Sequence, residues 1–130
     1  MKQEKPAILC VDDDQDTREL IAFTLRLAEY RVVACDTADE ALVHIKAGGF
    51  GAVVMDRRLR ESCGNELCRE IRRFDATTPI IFLSGEARPP EIEQSLAAGA
   101  SAYLVKPNDF GKLLETVTRL MDEGKTAASD

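Results

Sequence analysis

The chain has 130 residues, of which 45% are hydrophobic and 31% charged, and its formal net charge at pH 7 is −6. This size and composition are typical of one globular domain with a single core, and no apolar run is long enough to span a membrane. The negative charge argues against sequence-independent binding of nucleic acid, because a phosphate backbone requires a basic protein face.

The N-terminal residues and the cysteines bear on the cellular compartment. Residues 1–6 are polar and lack the apolar core of a signal peptide, so we expect a cytoplasmic location. The four cysteines, at positions 10, 35, 63 and 68, show neither the short paired spacings of a zinc site nor a secreted context. We expect Cys10 and Cys35 to act as small buried apolar groups.

Five short apolar runs are predicted to be strands: residues 7–11, 31–35, 52–55, 79–83 and 101–105. The run at 52–55 is apolar at every position, which favours a strand that is buried on both faces of a parallel sheet.

Helical patterns separate these runs and follow the last one. Asp14 and Asp16 precede the first helix, where negative charge is favourable, and the segment from Thr37 to Glu40 has the form of a capping box. Further helices are predicted to begin at Gly64, near Pro90 and near Phe110.

Five strands alternating with five helices predict an α/β fold without repeats or linkers. Short right-handed crossovers then require a three-layer sandwich around a five-stranded parallel sheet. The flavodoxin-like (βα)5 arrangement, with strand order 2-1-3-4-5, is the expected topology. We assign residues 1–122 to this domain and residues 123–130 to a flexible C-terminal tail.

Polar residues stand at the carboxyl ends of four predicted strands. The first strand ends in Asp12 and Asp13, the third in Asp56, the fourth in Ser84, and Lys106 follows the fifth. Ligands of open parallel sheets bind at this edge, where the winding direction changes between the first and third strands. We therefore expect these side chains to converge on one cleft.

The chemistry of such a cleft follows from its charges. Two like charges about 4 Å apart repel by roughly 4 kcal/mol at an effective dielectric near 20, so the carboxylates call for a cation. Mg²⁺ fits best, with Mn²⁺ as a substitute, because it takes few carboxylates and completes its shell with water and phosphate oxygens. Lys106 and Ser84 would hold the other oxygens of a tetrahedral dianion. In-line phosphoryl transfer to Asp56 is the chemistry implied.

From about residue 7 to 121, the sequence resembles a receiver domain of two-component response regulators of the chemotaxis-regulator type. The matching motifs are the acidic pair after the first strand, Asp56 as phosphoacceptor, Ser84 at the Thr/Ser switch position and Lys106-Pro107. Tyr103 matches the rotating aromatic residue of the family's fifth strand, within a closely matching segment at 97–104.

The resemblance also implies a set of metal ligands and a backbone feature. Asp13 and Asp56 would ligate the magnesium directly, the backbone carbonyl of Arg58 would be the third protein ligand, and Asp12 would act largely through metal-bound water. The peptide bond before Pro107 would be cis and would aim Lys106 into the cleft.

The chain departs from the family pattern in the loop after Asp56. Arg60 stands where the family usually has proline, and Asn108 where an aromatic residue commonly follows the Lys-Pro motif. We expect Arg57 and Arg60 to be solvated. Arg58 and Glu86 occupy modulatory positions of the family, and we hypothesise that they pair across the cleft and slow hydrolysis of the phosphoaspartate.

The resemblance implies a histidine kinase or histidine phosphotransfer protein as phosphoryl donor. Phosphorylation would draw Ser84 inward and turn Tyr103, which alters the surface formed by the fourth helix, the fifth strand and the fifth helix (the α4-β5-α5 face). A downstream output protein or domain would bind there, without direct contact of this domain to nucleic acid or membrane. With no output domain after Met121, the chain is expected to signal by diffusible contact or to be a piece of a longer regulator.

Two other readings of the same residues stay open. A degenerate receiver would act as a phosphorylation-independent binding module. Such a domain usually lacks an acid, the Ser/Thr or the Lys of the site, and this chain has all of them. A phosphatase of the haloacid-dehalogenase type would also use an aspartate nucleophile, but it needs an acid at the position that Arg58 occupies, and a cap. In the leading interpretation the domain is not an enzyme for a separate substrate and catalyses only its own phosphorylation and dephosphorylation.

Overall fold

The computed structural model describes the backbone of residues 6–129 and the side chains of residues 6–124. Five strands form one parallel sheet in the order β2-β1-β3-β4-β5, as predicted. The strands are β1 (Ala7–Val11), β2 (Arg31–Cys35), β3 (Phe50–Met55), β4 (Ile80–Ser84) and β5 (Ala102–Val105).

Five helices connect and follow the strands: α1 (Gln15–Leu27), α2 (Ala38–Ala47), α3 (Gly64–Phe74), α4 (Pro89–Ala97) and α5 (Leu113–Ser129), with a 3₁₀ turn at Phe110–Lys112 before α5. The predicted caps are present. The Asp14 carboxylate accepts a hydrogen bond from the backbone N–H of Thr17 at 3.0 Å, and the Thr37 hydroxyl accepts one from that of Glu40 at 3.2 Å. These bonds satisfy N–H groups that lack partners in the first turn of a helix.

The core lies in two layers, one on each face of the sheet. Alternate residues of each strand point to opposite faces, so Ile8 packs with α1 and α5 while Leu9 packs with α2 and α3. The central strands β1 and β3 are apolar and almost entirely buried, which confirms the prediction for the run at 52–55. The fold is therefore the predicted three-layer α/β sandwich.

The cysteines follow their predicted role. All four are free thiols, and Cys10, Cys35 and Cys68 are buried. Burial raises the pKa of the Cys10 and Cys35 thiols to about 12, so both are neutral near pH 7.

Two features differ from the sequence pattern or extend it. The loop after β3 contains a small antiparallel hairpin, in which Arg58–Leu59 pairs with Ser62–Cys63. Helix α5 extends to Ser129, past the boundary that we drew after residue 122, while the flexible tail stays a prediction. Within the described residues, no helix has both the length and the apolar character needed to cross a membrane.

Candidate functional site

Strand register brings the predicted site residues to one edge of the sheet. The backbone N–H of Asp12 donates to Cys35 O of β2 at 3.2 Å, and that of Asp56 donates to Val11 O of β1 at 3.1 Å. On the other side of β3, the N–H of Lys106 donates to Ser84 O at 2.8 Å. The ladder of the sheet thus continues one residue past each strand and fixes where these side chains start.

The ammonium of Lys106 lies between two buried carboxylates. Its Nζ donates to Asp56 Oδ2 at 3.0 Å and to Asp12 Oδ2 at 3.4 Å. The other carboxylate oxygens accept backbone N–H groups, from Asp14 at 2.9 Å to Asp12 Oδ1 and from Arg58 at 3.2 Å to Asp56 Oδ1. Three of the predicted residues therefore meet in one cleft, as the sequence indicated.

Burial and the charges within this cluster shift the pKa values of Asp12 and Lys106. Burial raises the pKa of Asp12 and outweighs the opposing effects of the Asp14 N–H and of Lys106, while the charge of Asp56 raises it further. Burial alone would lower the pKa of Lys106, but its hydrogen bond to Asp56 and the charges of both acids raise it. The lysine is thus charged near pH 7 and compensates negative charge on the acids beside it.

Asp13 lies beside this cluster in the chain but is not part of it. Its side chain is exposed and makes no hydrogen bond or ion pair with the described residues. Across the side chains that the structure describes, no three His, Cys, Asp or Glu residues are grouped closely enough to hold a metal ion. Like charges separate unless a cation joins them, and here Lys106 neutralises part of the charge of Asp12 and Asp56. The ligand roles of Asp13 and of the Arg58 carbonyl stay predictions.

Ser84 ends β4 beside Lys106, and Tyr103 lies on the neighbouring strand β5. The buried Ser84 Oγ accepts the backbone N–H of Glu86 at 3.4 Å. The half-buried Tyr103 ring packs edge to face on Phe82, with 5.9 Å between centroids, and its hydroxyl donates to Glu86 O at 2.7 Å. Burial raises the pKa of the Tyr103 phenol, although the nearby Ser84 hydroxyl opposes that effect. Both residues of the predicted switch therefore contact the same loop.

The predicted pairing of Arg58 with Glu86 is not formed. Glu86 instead accepts hydrogen bonds from the backbone and side chain of Arg88, at 2.8 to 3.0 Å. These bonds, followed by weaker effects that include the charge of Arg57, lower the pKa of Glu86 to about 2. A partner two residues away costs little chain entropy, which explains why the local pair forms. The Arg58 side chain is exposed and belongs to the hairpin strand.

The structure also gives roles to two arginines that the sequence did not single out. Arg18 Nη1 donates to the backbone carbonyl of Asp12 at 2.8 Å and so holds the acidic loop from one turn inside α1. Arg57, which we expected to be solvated, donates to Ser95 Oγ and to Gln94 Oε1, each at 3.3 Å. No sequence signal indicated these contacts, because both depend on which way a long side chain turns.

Two backbone features support the site. The peptide bond between Lys106 and Pro107 is cis, as the resemblance implied. Gly64 begins α3 against the loop that follows Asp56, and its N–H donates to Arg57 O at 2.6 Å. A Cβ at Gly64 would overlap the backbone carbonyl oxygen of Asp56, so only glycine allows this close approach.

Comparison with known protein families and structures agrees with this arrangement. The family model of the response regulator receiver domain matches residues 8–118. A CheY-like receiver domain protein from Methanospirillum hungatei is 30% identical with a TM-score of 0.87, and the alignment covers 94% of this chain and 98% of that one. TrrA from Thermotoga maritima, solved in complex with Mg²⁺ and BeF, is 30% identical with a TM-score of 0.80 over 89% and 99% of the two chains.

Longer regulators are similar to this chain over part of their length. The transcriptional regulatory protein ZraR of Klebsiella oxytoca is 30% identical over 99% of this chain but only 29% of its own length. DctD of Rhizobium meliloti, a C4-dicarboxylate transport transcriptional regulator, is 32% identical over 88% of this chain and 25% of its own length. The family match, the strand order and the cluster at the strand ends lead to one conclusion: this chain belongs to the response regulator receiver domains, the signalling domains of two-component systems.

Proposed function

We propose that this receiver domain accepts a phosphoryl group on the carboxylate of Asp56 from the phosphohistidine of a histidine kinase or a histidine phosphotransfer protein. The observation that carries the proposal is the Lys106 ammonium, which bonds Asp56 at 3.0 Å and Asp12 at 3.4 Å where β1, β3 and β5 end. A buried carboxylate can act as a nucleophile, and a cation fixed beside it compensates the negative charge of the phosphoryl group that it receives.

The transfer exchanges one phosphorus bond for another. An oxygen of Asp56 attacks phosphorus, a P–O bond forms as the P–N bond to the donor imidazole breaks, and the imidazole leaves with that electron pair. Lys106 compensates the charge on the transferred oxygens, and the Ser84 hydroxyl turns from the loop to donate to one of them. Water later attacks the same phosphorus and releases inorganic phosphate, so the domain acts only on its own phosphoryl group.

The donor set fits a hard divalent cation. Asp12 and Asp56 present carboxylate oxygens at the cleft, and the exposed Asp13 has no other partner among the described residues. Asp13, Asp56 and the Arg58 carbonyl would ligate it, with Asp12 acting through water, and Mg²⁺ or Mn²⁺ suits such oxygen ligands. When bound, the cation supplies neutralisation of the phosphoryl oxygens during transfer. The complex of TrrA with Mg²⁺ and BeF supports this assignment by similarity.

The domain would signal to a downstream output protein or domain through the α4-β5-α5 face, which adjoins Ser84 and Tyr103. The similarity to transcriptional regulators that are three to four times longer supports an output carried by another domain or protein. The net charge of −6 disfavours direct contact with nucleic acid, and we place the domain in the cytoplasm without membrane association.

The phosphorelay role is favoured over the two other readings of the site. A degenerate receiver typically lacks an acid, the hydroxyl or the lysine, and this chain retains Asp56, Ser84 and Lys106 at the strand ends. A haloacid-dehalogenase phosphatase requires an acid where Arg58 stands, and the receiver family match gives that reading no support.

Incubation with acetyl phosphate and Mg²⁺, followed by intact mass spectrometry, tests the proposal. We expect a single phosphoryl adduct on the wild type and none on Asp56→Asn. No adduct should form on the wild type when EDTA replaces Mg²⁺ during the incubation. The variant Asp39→Asn, which changes an exposed acid of α2, serves as the matched control and should be phosphorylated like the wild type. Absence of an adduct on the wild type, or its persistence in Asp56→Asn, would refute the assignment.

A further inference from the structure

Helix α4 is anchored in an unusual way. Ser95 is the buried residue of this nine-residue helix, while Leu96 is 43% exposed and Ile92 is half-buried. Among the described residues, none of the nine belongs to either hydrophobic core cluster. A helix usually stays in place because an apolar stripe packs on the core, so α4 depends on polar contacts to a greater degree.

Those contacts form a short chain of hydrogen bonds centred on Ser95. Its Oγ, with no exposed surface, donates to Asn65 Oδ1 of α3 at 2.7 Å and accepts from Arg57 Nε at 3.3 Å. Asn65 is itself only 5% exposed. A second N–H of the Arg57 guanidinium reaches Gln94 Oε1 at 3.3 Å. The loop after β3 is thereby tied to the middle of α4.

The hydrogen bonds at the two ends of this series differ in strength. The bond between Ser95 and Asn65 is short and buried, whereas both bonds from Arg57 are longer than the usual 2.7–3.2 Å range for N–H donors. The charge of Arg57 also lowers the pKa of Glu86, in the loop that leads into α4. Through its hydrogen bonds, Arg57 links the loop after Asp56 to the middle of this helix.

A phosphoryl group on the preceding residue would change the balance at Arg57. The acyl phosphate carries a charge of about −1.5 to −2 near pH 7, in place of the single negative charge of a carboxylate, and it presents three strong acceptor oxygens. A guanidinium binds phosphate oxygens more strongly than the neutral oxygens of serine and glutamine, because both partners are then ionised.

Building on the proposed function, we propose that Arg57 is a positioning residue that couples the charge on Asp56 to the placement of α4. While Asp56 is unmodified, the guanidinium holds Ser95 and Gln94. When Asp56 carries a phosphoryl group, the guanidinium turns to its oxygens, and α4 is left with the bond between Ser95 and Asn65. This coupling rests on Arg57 and Ser95, and is distinct from the contacts of Ser84 and Tyr103.

Hydrogen exchange of the peptide that covers α4 tests the tie in the unmodified domain. Losing a hydrogen bond costs about 1 kcal/mol, which corresponds to roughly a fivefold change in an opening equilibrium. We expect α4 in Arg57→Ala to exchange about fivefold faster than in the wild type, with β1 unchanged as evidence of an intact fold. Arg60→Ala is the matched control, since Arg60 lies in the same loop, has a 58% exposed side chain and pairs only with Asp36 in the described structure. It should exchange like the wild type.

The same measurement with Mg²⁺ and beryllofluoride, a phosphoryl mimic, tests the coupling. We expect α4 of the wild type and of Arg60→Ala to approach the exchange rate of Arg57→Ala, whereas α4 of Arg57→Ala should change little. Arg57→Lys, which keeps the charge but loses the two-pronged donor, should restore only part of the wild-type response. An equal response of α4 in the wild type and in Arg57→Ala would overturn the coupling.

Intact mass after acetyl phosphate treatment separates this failure from that of the proposed function. Adducts on both the wild type and Arg57→Ala, together with equal α4 responses, would refute the coupling and leave Asp56 as acceptor. Absence of an adduct on the wild type would refute the phosphoacceptor assignment. The coupling would then be refuted too, because it depends on a phosphoryl group on Asp56.

Discussion

At the scale of single residues, Lys106 determines the charge state of the site. Its ammonium contacts two carboxylates, of which Asp12 is almost wholly buried and Asp56 nearly so. Burial raises the pKa of Asp12 even with the lysine beside it, because the interior disfavours a charged carboxylate more than one shared cation can offset. Lys106 therefore compensates part of the negative charge of the site, and a bound cation would compensate more of it.

The variant Lys106→Met should lose stability near neutral pH. Removing the cation leaves two buried carboxylates without a positively charged partner, and because the lysine side chain is 23% exposed we expect a loss of about 2 kcal/mol, below the range for fully buried pairs. The free energy of unfolding, measured by urea denaturation at pH 7 in EDTA, checks the value. Lys112→Met is the control, since Lys112 is 63% exposed and should change the stability by less than about 0.5 kcal/mol.

The pH dependence of this effect has a defined sign. The raised pKa of Lys106 in the folded state means that its stabilisation is present below its ordinary value of 10.5 and is lost as the pH rises through the folded pKa. On the acid side, the pKa of Asp12 is raised above its ordinary value of 3.8, so the cost of Lys106→Met should shrink as the pH falls towards that value and Asp12 takes up a proton. A destabilisation that stayed constant from pH 7 to pH 3 would show that lost packing, and not charge, is responsible.

At the scale of elements, Arg72 joins α3 to two loops on the opposite edge of the sheet. Its guanidinium donates to the carbonyl oxygens of Gly99 at 2.9 Å and of Thr78 at 2.8 Å. The carbonyl oxygen of Asp75 and the hydroxyl of Ser101 accept further bonds. Gly99 has a φ of +118°, and a Cβ there would meet the Arg72 side chain, so the glycine allows both the turn and the contact.

We expect Arg72→Met to lower the free energy of unfolding by about 2 kcal/mol, because half-buried carbonyl groups lose their donors while the aliphatic stem is preserved. Arg73→Met is the matched control. Arg73 is the next residue of α3, is exposed, and makes no hydrogen bond or ion pair with the described residues, so its replacement should be nearly neutral. Equal effects of the two variants in thermal unfolding would contradict the role of Arg72.

At the scale of the whole molecule, the proposed cation site would link divalent cation binding to stability. The net charge of the chain is −6, and Lys106 offsets only part of the repulsion between the acids at the strand ends. A ligand that binds only the folded state stabilises it by about 2.7 kcal/mol at 100 times its Kd. Mg²⁺ should therefore raise the free energy of unfolding of the wild type by this amount.

Asp13→Asn should show a much smaller response to Mg²⁺, because it removes a predicted ligand without disturbing the contacts of Lys106. Asp39→Asn provides the control, with an exposed acid outside the cleft, and should respond like the wild type. Urea unfolding with a series of Mg²⁺ concentrations measures the effect. Identical responses of Asp13→Asn and the wild type would exclude Asp13 as a ligand.

The parts of the molecule that sequence could predict are those fixed by local chemistry. The apolar runs gave the strands, the caps at Asp14 and Thr37 placed α1 and α2, and the crossover rule with the family resemblance gave the strand order. The meeting of Asp56 with Lys106 also followed from strand ends alone.

Side-chain partners of long, flexible residues could not be predicted in the same way. Glu86 pairs with Arg88 and not with Arg58, and Arg57 donates a hydrogen bond to Ser95. Both partners are determined by loop conformation, which the spacing of residues in the sequence does not reveal. The buried Ser95 of α4 was not predicted either, because a serine in a helix gives no sequence signal that it is buried.

The atom that carries the phosphoryl group decides most directly whether Asp56 is the acceptor. Borohydride reduction of the acetyl phosphate-treated domain converts an acyl phosphate to an alcohol, and peptide mass spectrometry then locates the changed residue. We predict homoserine at position 56 and at no other acid. A phosphoryl group found on Ser84, or a reduced residue at Asp12 or Asp13 with Asp56 unchanged, would contradict the account.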